Sequence, residues 1–206
     1  LDKIIDFKNN TKKSELRNKL NINPEQILIT FVSEPHSHDY GTDGSFPLYK
    51  GFTEIDVLDG IVKTINNLVT QIGTNIHLKI KLHPKELNHS FGPILKTANF
   101  SYEIIQETNQ WELVFASDIV IGIESILLVE SAILGTPTIS FQPGLATLDQ
   151  LYCNKIGLTI PIYSKNELSN TIKILLTKKN SNLTRCGNYI LSYSSRKVIN
   201  LINSLI

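Results

Sequence analysis

Short apolar runs alternate along the chain with longer stretches in which apolar residues recur every three or four positions. Runs at residues 27–32 (Ile-Leu-Ile-Thr-Phe-Val), 77–82, 102–105, 118–121, 138–141 and 158–162 are too brief for helices. They are rich in β-branched residues and predict six strands. Between the first two, Ile55, Leu58, Ile61, Ile65 and Leu68 fall at helical spacing. Thr53 opens that helix with Glu54 and Asp56 in its first turn, and Gly73 closes it. Further helices are predicted through Leu16 and Leu20, over 87–98, 109–116, 125–134 and 168–176, and in the tail at 189–206, with one more turn within 147–153. Residues 1–10 read as a leading linker and residues 33–52 as a long polar loop. Strands alternating with helices predict an α/β domain, a Rossmann-like parallel sheet with helices on both faces. The expected division is a linker and helix at 1–24, the α/β domain at 25–180, and a C-terminal helix at 181–206 packing on it.

The stretch 117–141 is the most informative. Asp118–Ile121 reads as a strand that Gly122 breaks, and Ser125 suits a helix N-cap. The helix that follows is apolar almost all round, as packing on a buried sheet requires. Gly135 and Pro137 end it before the next strand. Glu130 stands alone in this apolar helix, where an isolated carboxylate is costly unless something pairs with it.

Open parallel sheets bind ligands beyond the carboxyl ends of their strands. Those ends here are Ser33-Glu34-Pro35-His36, His83-Pro84-Lys85, Gly122-Ile123-Glu124-Ser125 and Gln142-Pro143-Gly144. Free N–H groups at a helix start favour an anion beside Ser125. Glu130, over one turn further on, suits a pair of ribose hydroxyls. His83, held extended by Pro84, can donate to a phosphate oxygen or act as a general acid. Each has a plainer reading: a cap, a salt bridge, a strand-end histidine. The run His36-Ser37-His38-Asp39 has weak metal spacing and no cysteine cluster, so no metal and no cofactor are expected.

Composition narrows the class. At 206 residues and 41% hydrophobic the chain can bury a real core, and a net charge of +1 gives no strong attraction to nucleic acid. Cys153 and Cys186 stand far apart and read as free thiols in a cytoplasmic setting. A chain that begins at Leu1 and has no methionine is expected to be processed or excised from a longer one.

On these residues the chain resembles the C-terminal, nucleotide-binding half of a GT-B glycosyltransferase. The run Phe31-Val32-Ser33-Glu34-Pro35 through Asp39-Tyr40-Gly41 looks like that of bacterial polysialyltransferase-like, surface-carbohydrate biosynthesis proteins. His83-Pro84 is similar to the His-Pro motif of bacterial sialyltransferases, and Ser125 falls where that family holds the donor phosphate with a Ser-Ser or Ser-Thr pair. Here the pair is Glu124-Ser125. Glu130 with Gly135-Thr136-Pro137 is similar to a donor-site pattern shared with UDP-GlcNAc 2-epimerases. The resemblance implies a CMP- or UDP-sugar as substrate and a glycan or glycolipid acceptor. It also implies a second, N-terminal α/β domain that carries the base, and a place at the inner face of the membrane for the full protein. The implied donor-binding set is Ser33, Gly122, Glu124, Ser125, Glu130, Pro143 and Gly144, with His83 at the departing phosphate. An epimerase of the same fold and a non-catalytic α/β binding module are the alternatives.

Overall fold

A computed structural model describes residues 2–86 and 91–178. In chain order the elements are α1 (Asp2–Asn10), α2 (Lys13–Lys19), β1 (Ile27–Val32), α3 (His36–Tyr40), α4 (Glu54–Ile72), β2 (Ile76–Lys81), α5 (Gly92–Leu95), β3 (Ser101–Ile105), α6 (Gln110–Ala116), β4 (Ile119–Gly122), α7 (Ile126–Leu134), β5 (Thr138–Phe141), α8 (Tyr152–Lys155), β6 (Ile160–Ile162) and α9 (Lys165–Lys178). The six strands form one all-parallel sheet in the order β3-β2-β1-β4-β5-β6. This is the predicted Rossmann-like α/β fold. The expected tail helix at 189–206 and Cys186 lie outside the described residues, as do the first residues of the helix expected over 87–98.

Strand alternation builds two cores. On β1, Ile29 and Phe31 face one side with Ile119 and Ile121 of β4, under α4, α5 and α9. Leu28 and Val32, with Val120, face the other side against residues of α1, α2, α6 and α7. Both faces are therefore covered, which is why the central strands are apolar at nearly every position.

Local chemistry sets the helix ends. Thr53 and Asp56 form a reciprocal capping box at the start of α4, and Gly73 ends that helix in the left-handed region. Asn109 caps α6 through the amides of Trp111 and Glu112. Residues 2–10, expected as a linker, form α1 instead. Ile4 and Phe7 lie on one face of it and pack against Trp111 and the α7 side of the core, and Lys8 Nζ donates to the Ile133 carbonyl at 3.2 Å. A nine-residue helix of that composition owes its existence to this packing, which no local pattern announces.

Candidate functional site

The strand order reverses direction between β1 and β4, so their carboxyl ends open the crevice where doubly wound sheets place ligands. β1 delivers Ser33 and Glu34, and Pro35 turns the chain into the five-residue α3, within what the sequence suggests is loop. Gly41 ends α3 at φ 92°, and a Cβ there would lie 2.2 Å from the Phe46 ring. On β4, a Cβ at Gly122 would meet a Leu128 methyl at 2.8 Å and the Val32 carbonyl oxygen at 3.1 Å, so a side chain there would have to push Leu128 aside and crowd β1.

The turn into α7 is built as an anion site, and it is already occupied. Ser125 caps α7 by accepting from the Leu127 amide. The amides of Glu124 and Ser125 both donate to Glu34 Oε1, at 2.9 and 2.8 Å. A carboxylate of the protein thus sits where the sequence suggests a phosphate. Burial pushes the Glu34 carboxyl up, and the two amides and the nearby His36 oppose that rise.

Glu124 is held differently. Lys50 Nζ lies 2.6 and 2.8 Å from its two oxygens, and Tyr40 donates its hydroxyl at 3.0 Å. His36 Nε2 approaches to 3.5 Å. His36, then Lys50 and Tyr40, bring the Glu124 carboxyl down to about 2 against the effect of burial. Lys50 also stands 3.9 Å over the Tyr40 ring. His36 is 2% exposed, stacked on Phe52 with centroids 5.2 Å apart and edge-on to Tyr40 at 4.9 Å. Neither of its ring nitrogens makes a hydrogen bond among the described residues.

Glu34, His36 and Glu124 bring one potential metal-ligand atom each within 4.8 Å of one another. Two amides already hold Glu34 and an ammonium already holds Glu124, so a dication would have to displace Lys50. His38 turns away to pair with Asp39 at 2.7 Å.

A second node joins β1 to β2. Glu86 is buried and accepts from Ser33 Oγ at 2.6 Å and from the His83 amide at 2.7 Å, with its carboxyl raised by burial. The Lys85 amide donates to His83 Nδ1 at 3.2 Å, which leaves Nε2 of that ring for a ligand. A third contact brings in the β5 end. The Ala146 amide donates to the Lys50 carbonyl at 2.9 Å, the Gly144 amide donates to the Tyr163 carbonyl at 3.0 Å, and a Cβ at Gly51 would lie 2.4 Å from the Gly144 oxygen.

Ser33, Gly122, Glu124, Ser125, Pro143 and Gly144 therefore lie around one rim, laced by Glu34, Lys50 and Glu86, and Glu86 ties His83 to it. Glu130 stands apart. It is half-buried on α7, and Trp111 Nε1 donates to it at 3.1 Å. Reading the sequence alone gives no role to Glu34, Tyr40, Lys50 or Glu86. The signal for Glu34 is there, a carboxylate directly after a buried strand, but its partners are 90 and 91 positions away.

Residues 49–191 match the family described as "Protein of unknown function (DUF354)". No curated protein matches the chain significantly. Among solved structures the fold is similar to UDP-GlcNAc 2-epimerase from Neisseria meningitidis bound to UDP-GlcNAc, with TM-score 0.56 and 15% identity over 97% of this chain and 51% of that one. It is similar to Acinetobacter baumannii MurG, with TM-score 0.54 and 11% identity over 94% and 53%. It is also similar to E. coli ADP-heptose LPS heptosyltransferase II, with TM-score 0.53 and 16% identity over 82% and 52%. The likeness is one of fold, of the GT-B type. The chain spans about half the length of each of these structures.

Proposed function

The chain belongs to the DUF354 family, and from that premise, the fold and the rim geometry we propose that it is the donor-nucleotide-binding domain of a glycosyltransferase. The donor is a nucleotide-activated sugar, CMP- or UDP-linked, used in surface polysaccharide or glycolipid synthesis at the cytoplasmic face of a membrane. One observation carries the reading: at the β1/β4 switch point, the amides of Glu124 and Ser125, in the turn that leads into α7, hold an oxyanion, at present the Glu34 carboxylate. A donor phosphate has the same requirement. Likeness of fold to proteins named for UDP-GlcNAc and ADP-heptose supports it.

In this reading the amides of Glu124 and Ser125 take the phosphate, and Gly122 lets it approach the backbone. Pro143 and Gly144 flank the nucleotide, while Ser33 and Glu86 fix the floor. Glu130 lies five residues beyond Ser125, about 7.5 Å along the helix axis, which suits a ribose on the same nucleotide. It would exchange Trp111 for the ribose hydroxyls. His83 Nε2 contacts the departing phosphate as donor or general acid. Residues 25–180 form the binding unit. The acceptor site and the base belong to a second α/β domain, and no described helix is long and apolar enough to cross a membrane.

Titration calorimetry with CMP, CDP, UDP and GDP tests the proposal. Micromolar to low-millimolar binding of at least one is expected, lost in His83→Ala and Glu130→Gln while the circular dichroism spectrum is kept. No binding by any of them at millimolar concentration refutes it. The epimerase reading has one favouring observation, the likeness to an enzyme bound to UDP-GlcNAc. It predicts binding confined to UDP and its sugars.

A further inference from the structure

Two carboxylates stand at the rim, and they are held in opposite ways. Glu124 has an ammonium, a phenol hydroxyl and a histidine ring around it. Glu34 has no cation within 4.0 Å among the described residues; both of its amide hydrogen bonds go to a single oxygen, and burial disfavours its charge. His36 is buried beside both: its Nε2 lies 3.5 Å from a Glu124 oxygen and a Glu34 oxygen lies within 4.8 Å of the ring, yet neither ring nitrogen makes a hydrogen bond among the described residues. An unpartnered buried ring is costly, and it marks a place where a further acceptor fits.

We propose that Glu34 is an exchangeable placeholder, and that when it swings out the amides of Glu124 and Ser125 and the ring of His36 form a three-donor site for a phosphate or diphosphate group. The inference takes its ligand class from the donor-binding reading above. A carboxylate satisfies the two amides and leaves His36 facing Glu124 at 3.5 Å without a hydrogen bond. A phosphate presents three acceptor oxygens, enough for both amides and the ring. The charges suit the exchange. Glu124 keeps Lys50 and stays in place, so one anion leaves as another arrives and the site never holds a phosphate and Glu34 together. Glu34 is then the element that sets how hard the phosphate must compete: a placeholder present nine-tenths of the time weakens apparent affinity about tenfold.

The experiment compares wild type, Glu34→Gln and Glu34→Ala for binding of inorganic pyrophosphate and of UDP and CMP by calorimetry. Carbon-13 NMR follows the Glu34 carboxyl in the unaltered protein. The expected result is roughly tenfold or greater tightening in both variants, and a Glu34 resonance that moves to a solvent-exposed position when ligand saturates the wild type. The double variant Glu34→Ala, His36→Phe, in which phenylalanine preserves the stacking on Phe52, should bind more weakly than Glu34→Ala because the third donor is gone. Pyrophosphate tightening without nucleotide binding keeps this inference and removes the donor reading. Nucleotide binding with unchanged affinity in both variants and a stationary Glu34 resonance keeps the donor reading and overturns this one. A double variant that binds as tightly as Glu34→Ala overturns the three-donor site, and absence of all binding overturns both.

Discussion

Replacing Glu124 by glutamine keeps the side chain's size and an acceptor oxygen for Tyr40 while removing the charge that Lys50 holds. A carboxyl at about 2 in the folded chain, against 4.5 for the free group, contributes about 3 kcal/mol at neutral pH. The side chain is 26% exposed, and screening brings the expected cost of Glu124→Gln to about 2 kcal/mol. The sign is fixed by the direction of the shift. A lowered carboxyl stabilises the fold above the unfolded value and loses that contribution as pH falls from 4.5 towards 2. By pH 3 the wild type retains under half of it. Urea unfolding of both proteins at pH 7 and pH 3 reads this directly. The difference should be about 2 kcal/mol at pH 7 and less than about 1 at pH 3. A difference below about 0.5 kcal/mol at pH 7, or the same difference at both pH values, refutes the reasoning that the charge of Glu124, held by His36, Lys50 and Tyr40, stabilises the fold.

Two further outcomes concern other parts of the molecule. Arg17→Met removes a guanidinium that donates to the Ala116 carbonyl and Asp118, each at 3.1 Å, and to the carbonyls of Asn23 and Gln26. It should cost about 3 kcal/mol in thermal unfolding without altering nucleotide affinity, and a loss under about 1 kcal/mol contradicts this. Trp111 is the chain's one tryptophan and bonds Glu130, so a nucleotide whose ribose engages Glu130 should change its fluorescence emission. Saturating nucleotide with no spectral change removes Glu130 from the proposed site.

The strands were legible because a sheet buried on both faces needs largely apolar runs, and β1 and β4 carry them, with Thr30 the one polar side chain between them. The rim was legible for a related reason: parallel strands all end on one side, so Ser33, His83, Gly122 and Gly144 had to come near one another. Its wiring was not. Whether Glu34 meets solvent, a metal or the amides of the turn before α7 depends on a register set by β4, some 90 residues later. Lys50 sits among the glycines and prolines of a segment with no period, so nothing local aims it at Glu124. Glu130 illustrates the converse. Its isolation in an apolar helix was visible, but its Trp111 partner comes from the face of α6, which tertiary packing alone brings alongside.

The bond from Glu34 to the Glu124 amide spans 90 positions, and it joins the β1–β3 half of the sheet to the β4–β6 half. Closing a loop of that length costs about 4 kcal/mol in chain entropy before any contact repays it. The rim is therefore a product of the completed fold, and a partly synthesised chain lacking β4 has no version of it. Unfolding anywhere that separates β1 from β4 also dismantles it. An anion bound there should slow hydrogen exchange across all the central strands together rather than only in the turns it touches.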